Sequence, residues 1–100
     1  MNFYLEKCKS NPNLRATKDE SGNEYRFLIL GRGEDVFFEK NGFSLFCTMD
    51  AVNRKLFVQS IKLWEENKKK IGKKERNGLA QEIKLIYEKL YGEELELVVV

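Results

Sequence analysis

The chain has 100 residues, of which 42% are apolar and 12% aromatic, and it carries 18 basic and 16 acidic side chains. A chain of this length predicts a single domain over residues 1–100, and this apolar content excludes an intrinsically disordered protein. No stretch approaches the run of about 18 apolar residues that spans a membrane, and residues 1–14 contain no apolar stretch of signal-peptide length. We therefore expect a cytoplasmic protein with no membrane partner.

Two cysteines and the absence of histidine limit the chemistry of this sequence. Cys8 and Cys47 are too few for a disulfide framework, and the usual zinc-binding spacings cannot be built without histidine. Because Cys47 lies within the apolar residues 43–49, we interpret it as a core residue rather than a reactive thiol. We expect no metal site and no bound cofactor.

The candidates for catalysis are carboxylates, because histidine, the commonest general base, is absent. Glu34–Asp35 and Glu65–Glu66 are adjacent pairs, but neighbouring residues in a strand point to opposite faces. Residues 31–33 lack the glycine spacing and the following helix of a phosphate-binding loop. The sequence therefore predicts no catalytic residues and indicates that the chain is not an enzyme.

The N-terminal part predicts a strand and a hairpin. Asn2–Glu6 is a predicted short strand that ends before Pro12. Leu14–Asp19 and Glu24–Leu30 flank a predicted turn at Ser21–Gly22, where glycine accepts a positive φ without steric cost. This turn would pair Lys18 with Tyr25 and Ala16 with Phe27.

The dipeptide Asn41–Gly42 lies between two strand-forming runs and predicts a tight type I′ hairpin. Aromatic cross-strand pairs are expected to stabilise it. The predicted register pairs Glu39 with Ser44, Phe38 with Leu45 and Phe37 with Phe46. Residues 31–35 before this hairpin and Asp50–Asn53 after it are predicted loops.

The C-terminal half predicts a strand, a helix and a strand. Arg54–Trp64 is apolar on both faces, which indicates a strand inside the sheet. The following segment has apolar residues at the spacing of one buried helix face. These residues are Leu79, Ala80, Ile83, Ile86, Tyr87 and Leu90. Gly92 is placed for a left-handed helix cap, and Leu95–Val99 alternates between apolar and acidic residues as a closing strand.

Together these elements predict an α+β fold. Its main layer is a mostly antiparallel sheet, built as a meander of hairpins, with one C-terminal helix packed on one face and a final C-terminal strand. The final strand is expected to lie parallel to Arg54–Ile61, because a helical crossover joins them. The other face of the sheet is expected to be uncovered.

The link before the predicted helix is basic. Lys68–Arg76 contains six basic residues and one acid, and clustered lysines can neutralise phosphates. Nucleic-acid modules usually add aromatic side chains that stack on bases, but no aromatic lies between Trp64 and Tyr87. We interpret the run as a solvated link that steers a partner. A small nucleic-acid-binding or regulatory module that uses Lys68–Arg76 is the alternative.

Trp64 ends the apolar run and has two interpretations. A tryptophan at this position can fill the seam between helix and sheet, or it can anchor a partner. The seam is the favoured interpretation.

Residues 60–99 carry a family resemblance. Ser60, Ile61, a lysine and Trp64 are followed by a polar link, a helix, a glycine-containing turn and a closing strand. In this order, residues 54–99 resemble the C-terminal half of small bacterial immunity proteins from polymorphic-toxin and contact-dependent growth-inhibition systems. The chain departs from those proteins at residues 72–74, where they tend to have an acidic helix start.

The resemblance implies a protein without catalytic residues that binds the C-terminal toxin domain of a cognate toxin, often a nuclease, and blocks it. Such binding requires a rigid surface and complementary charge. The candidate partner-binding residues are the loop charges Glu34, Asp35, Asp50, Arg54 and Lys55, together with Trp64. Another interaction or oligomerisation domain is a further alternative.

Overall fold

The computed structural model describes residues 3–32 and 34–99. Its helices are α1 (Phe3–Lys9) and α2 (Lys73–Tyr91), and a 3₁₀ turn covers Val58–Ser60. Its strands are β1 (Arg15–Lys18), β2 (Glu24–Leu30), β3 (Asp35–Lys40), β4 (Phe43–Asp50), β5 (Lys55–Phe57) and β6 (Glu96–Val98). No helix in these two ranges is long and apolar enough to cross a membrane.

The six strands form one sheet in chain order. Each neighbouring pair from β1 to β5 is antiparallel, because short turns join consecutive strands. β6 is parallel to β5, and α2 forms the connection between them. The predicted α+β fold is confirmed: a mostly antiparallel sheet, a C-terminal helix on one face and a final strand.

The main core lies between α2 and one face of the sheet. Ile83 is completely buried there, and Leu79 and Ile86 are buried beside it, as the periodicity predicts. Gly92 ends α2 with a φ of 69° and donates its backbone N–H to the Glu88 carbonyl at 3.0 Å. This left-handed cap was also predicted, since glycine adopts positive φ readily.

The predicted strand at the N-terminus is wrong over the described residues 3–6, which begin the helix α1 instead; Asn2 lies outside the described residues. A short apolar run is compatible with both structures, and packing decides between them. Leu5 and Cys8, one helical turn apart, are buried with Leu28 and Phe37 on the sheet face opposite α2. The expectation of an uncovered face is therefore also wrong, because α1 packs on it.

The first hairpin has the predicted strands but a register different by one residue. Lys18 pairs with Glu24, and Ala16 pairs with Arg26. The loop between Lys18 and its partner is one residue shorter than predicted. The Asp19 carboxylate organises this loop, because it accepts hydrogen bonds from the backbone N–H groups of Ser21 and Asn23, both at 2.9 Å. Gly22 has the predicted positive φ, 87°, so the turn lies where it was predicted and only the pairing of the strands differs.

The second hairpin is confirmed with its register. Glu39 pairs with Ser44, Phe38 with Leu45 and Phe37 with Phe46. The turn residues Asn41 and Gly42 have φ values of 50° and 89°, as a type I′ turn requires at both central positions. The hairpin places Phe38 and Leu45 in the α2-side core, and Phe37 in the cluster under α1.

The predicted strand Arg54–Trp64 is much shorter than expected. β5 lies between β4 and β6, so its inner position is confirmed, but it ends at Phe57. The Ser60 hydroxyl donates to the Phe57 carbonyl at 2.5 Å and accepts from the Thr48 backbone N–H at 2.8 Å. These bonds stabilise the 3₁₀ turn, while Val58 and Ile61 remain buried. The apolar residues on both faces of this segment correctly indicated that it is buried, but they did not indicate where the strand ends.

Candidate functional site

The connectivity of the sheet separates its loops into two groups. In an antiparallel meander, alternate turns lie at opposite ends of the strands. The β2–β3 loop (described at residues 31, 32 and 34) and the β4–β5 loop (residues 51–54) therefore share one end, and the turns of the two hairpins lie at the other. Five of the six predicted partner-binding residues lie at the first end, and Trp64 lies near the second.

We call the first surface the loop end. It consists of the predicted residues Glu34, Asp35, Asp50, Arg54 and Lys55, together with Val52. The backbone N–H of Met49 donates to the Glu34 carbonyl at 2.8 Å, which ties the β2–β3 loop to β4. Asp35 pairs with Thr48 in the sheet, and Asp50 pairs with Lys55. The structure thus brings these five charges, from loops about twenty residues apart, to one end of the sheet.

Hydrogen bonds fix the β4–β5 loop. The Asp50 carboxylate accepts from the backbone N–H and the side-chain amide of Asn53, at 3.1 and 2.8 Å, and these bonds lower the pKa of Asp50. Arg54 has a positive φ of 54°. Its backbone carbonyl accepts a hydrogen bond from the Glu96 N–H at 2.8 Å. Lys55 Nζ lies 3.8 Å from the Glu96 carboxylate. Asp50 and Arg54 are therefore held in place by the fold.

Sequence reasoning missed Val52, an apolar side chain at the tip of this loop. It is 83% exposed, and it lines a shallow cavity of about 390 Å³ with Arg32, Glu34 and Asp50. An exposed valine between charged residues has the composition of a small interface centre with a polar rim. The only indication in the sequence that Val52 is exposed was its position within the predicted turn Asp50–Asn53.

The second surface is the Trp64 groove, which is lined by Lys40, Asn41, Phe43, Trp64, Asn67 and Lys69. Its cavity has a volume of about 380 Å³. The rings of Phe43 and Trp64 are 6.2 Å apart and meet at 71°, and Phe43 is 49% exposed. Trp64 is half-buried and packs on the main core, so it both fills the seam and lines an open groove.

The basic link does not act as one uniform surface. Lys68 Nζ lies 3.0 Å from the Glu65 carboxylate, and Arg76 donates to the carbonyls of Ile61 and Ile71 at 2.8 and 3.3 Å. Arg76 therefore holds the link against the domain. Lys73 lies in the first turn of α2, and Lys69 lines the Trp64 groove.

An ion cluster around the buried Glu39 on the α1 side was also missed. Glu39, only 5% exposed, accepts two hydrogen bonds from the Arg26 guanidinium, with Arg26 Nη2 at 2.8 Å. Lys9 Nζ lies 3.1 Å from Glu66 and 3.6 Å from Glu39. Both carboxylates therefore have cationic partners, and the cluster joins α1, the sheet and the link. Arg26 and Glu39 face each other because they are paired across β2 and β3, a register that was not predicted from the sequence.

Glu65, Glu66 and Cys47 take part in hydrogen bonding and packing within the fold. Glu66 accepts from the Ser44 backbone N–H at 2.6 Å, and the Glu65 N–H donates to the Ser44 carbonyl at 2.7 Å. Burial raises the pKa of Cys47 to about 12, so its thiol is neutral at pH 7. Within residues 3–32 and 34–99, no group of three or more acidic or cysteine side chains is arranged to hold a metal ion.

No family model, characterised protein or solved structure compared with this chain matches it.

Proposed function

We propose that this chain is an immunity protein, which binds a cognate bacterial toxin in the cytoplasm and blocks it without catalysis. The observation that carries the proposal is the loop end, where the exposed Val52 shares a cavity with Arg32, Glu34 and Asp50, and where Asp35, Arg54 and Lys55 lie at the same end of the sheet. The order of elements from residue 54 to residue 99, which resembles such proteins, supports it further.

The loop end has the physical properties that a specific inhibitor needs. Its loops are held by hydrogen bonds to the sheet, such as that from Met49 to Glu34, and helices pack on both sheet faces. A rigid surface loses little conformational entropy on binding. The surface beside Val52 carries both acidic and basic groups, Glu34, Asp50 and Arg32, so a partner with the wrong charge pattern places like charges together, which opposes binding.

The first tests are the position of the gene in the genome and the protection of cells from a toxin. We expect a large toxin gene immediately upstream of the gene for this chain, and co-expression should protect cells from that toxin but not from unrelated toxins. The purified chain and toxin domain should form a stable stoichiometric complex. Absence of both a toxin neighbour and protection would contradict the proposal.

A matched pair of variants then locates the interface. Val52→Asp should weaken the complex with the toxin domain at least about tenfold, because it places an unpaired carboxylate at the interface centre. The control is Leu85→Asp, since Leu85 is also apolar and 64% exposed but lies on α2. Titration calorimetry measures both affinities. Equal affinities for Val52→Asp and wild type would exclude the loop end as the interface.

A separate variant tests the alternative that the chain binds nucleic acid. Replacing Lys68, Lys69, Lys70, Lys73 and Lys74 with glutamine should leave toxin protection largely intact, because these residues lie outside the loop end. If nucleic-acid binding were the function, affinity for DNA or RNA would fall steeply with salt and would be lost in the glutamine variant. Micromolar or tighter binding at physiological salt, lost in that variant, would replace the immunity proposal.

A further inference from the structure

The Trp64 groove combines apolar walls with an uncompensated positive charge. Phe43 and Trp64 form two walls at 71° to each other, and the Trp64 Nε1–H is directed to the Glu75 carboxylate at 3.4 Å. No carboxylate is among the residues that line the cavity. The groove therefore presents aromatic surface and cationic groups together.

The two lysines of the groove differ. Lys40 Nζ lies 2.8 Å from the Glu82 carboxylate, so its charge is balanced within the domain. The Lys69 side chain has no carboxylate within ion-pair distance in the described part of the chain. The Asn67 side-chain oxygen accepts from the Lys69 backbone N–H at 2.9 Å, and the Lys69 carbonyl accepts from the Trp64 N–H at 3.0 Å, so the backbone of Lys69 is fixed beside Trp64. One ammonium group is thus available to an acidic ligand.

We propose that the Trp64 groove binds an acidic peptide segment of a partner protein. A large apolar side chain of the segment fills the space between Phe43 and Trp64, and a neighbouring carboxylate pairs with Lys69. The cavity of about 380 Å³ lies in the lower part of the range, about 300–1,000 Å³, that binding pockets occupy. Tryptophan and neighbouring aromatic groups are common anchors in protein interfaces.

The geometry favours a peptide over a nucleic acid. A planar base stacks on one ring at a time, whereas an apolar side chain contacts both rings when they meet at 71°. A nucleic-acid strand also needs several cations to neutralise successive phosphates, but only two of the described lysines line the groove, and Lys40 already pairs with Glu82. A single unpaired lysine in the groove matches a single carboxylate.

This inference does not depend on the toxin proposal. The groove lies beside the β3–β4 turn, and the loop end lies at the opposite end of the same strands. The chain can therefore contact two different segments without one blocking the other.

Selection of peptides by the purified full chain tests the proposal. A phage-displayed random peptide library should yield a consensus with one phenylalanine, tryptophan or leucine flanked by aspartate or glutamate. The selected peptide is then synthesised and titrated against the chain. Trp64 is the only tryptophan of the sequence, so its fluorescence reports binding at the groove directly, and we expect a saturable shift or quenching.

Four variants assign the binding to the groove. Phe43→Ala and Lys69→Glu should each weaken binding of the selected peptide at least about tenfold. Their matched controls are Tyr4→Ala, an exposed aromatic residue on α1, and Lys70→Glu, an exposed lysine outside the lining. Both controls should bind within about twofold of wild type. Lys69 is exposed, so its variant is expected to fold, which circular dichroism checks.

Several outcomes would overturn the proposal. A selection that returns no consensus, or a basic one, would exclude an acidic peptide ligand. A selected peptide that binds Phe43→Ala and Lys69→Glu as tightly as wild type would exclude the groove as its site. A ten-nucleotide single-stranded DNA that quenches Trp64 at lower concentration than the peptide, at physiological salt, would assign the groove to nucleic acid. A dimer in analytical ultracentrifugation that Phe43→Ala dissociates would assign it to a second copy of the chain.

Discussion

Ile83 lies at the centre of the α2 face that packs on the sheet and has no exposed surface. Ile83→Ala should lower the free energy of unfolding by about 2–5 kcal/mol, because it removes buried methyl groups and leaves a cavity. Leu85→Ala, two residues away on the exposed face (64% exposed), should change it by less than about 0.5 kcal/mol. Urea unfolding measures both. Similar values for the two variants would show that the buried face is misassigned.

Glu66 makes the free energy of unfolding depend on pH at acidic pH values. Burial would raise its pKa, but hydrogen bonds from Ser44 and Lys9 outweigh burial and hold the pKa below its ordinary value of 4.5. The unfolded chain therefore binds a proton at higher pH than the folded chain. The stability from Glu66 is complete above pH 4.5 and is lost as the pH falls through the folded pKa.

Glu66→Gln should lower the free energy of unfolding at pH 7 by about 0.5–1 kcal/mol, because the amide oxygen still accepts from Ser44 and solvent screens the lost ion pair with Lys9. The difference from wild type should shrink at pH 3, where wild type has also lost the carboxylate. Glu94→Gln is the control, since Glu94 is exposed, and it should match wild type at both values. A Glu66→Gln penalty that is equal at pH 7 and pH 3 would contradict the assigned role of the charge.

At the scale of elements, glycine has opposite effects in the β3–β4 turn and in α2. Gly42 has a φ of 89°, so Gly42→Ala should destabilise the domain by about 1–2 kcal/mol. Gly78 lies inside α2, and a Cβ there meets no atom within 4 Å. Gly78→Ala should therefore stabilise the domain by about 0.5–1 kcal/mol. Thermal unfolding compares the two, and melting temperatures shifted in the same direction would exclude this account.

At the scale of the whole molecule, one sheet supports two apolar clusters. Adjacent residues of the same strands point to opposite faces: Phe27 and Phe38 pack under α2, and Leu28 and Phe37 pack under α1. Loss of the sheet would therefore expose both clusters at once. This arrangement predicts that the chain unfolds as one cooperative unit.

Two probes measure this cooperativity. Circular dichroism at 222 nm follows mainly α2, the longer helix, and fluorescence follows Trp64, which packs on the main core. Their urea transitions should coincide, as for a two-state domain. Attaching a fluorophore to Ser10, next to α1, adds a probe of the other face. A separate earlier transition at that probe would show that α1 unfolds independently.

Local chemistry in the sequence determined much of this fold. The Asn41–Gly42 turn specified its own hairpin and register, because both residues accept positive φ. The apolar spacing in residues 79–90 specified the buried face of α2, and the strand order after it specified a parallel β6. The same connectivity was sufficient to place residues 31–34 and 51–54 at one end of the sheet.

The tertiary structure decided the features that depend on distant residues. Residues 3–9 form a helix because the helix buries Leu5 and Cys8 against Leu28 and Phe37 of the sheet. A segment this short has little intrinsic preference for helix or strand. β5 ends at Phe57 because Ser60 bonds to Thr48. Phe43 and Trp64 form a groove only because the chain folds back after the 3₁₀ turn. Sequence patterns report which residues are buried, but contacts between separate segments decide where the chain turns and which side chains meet.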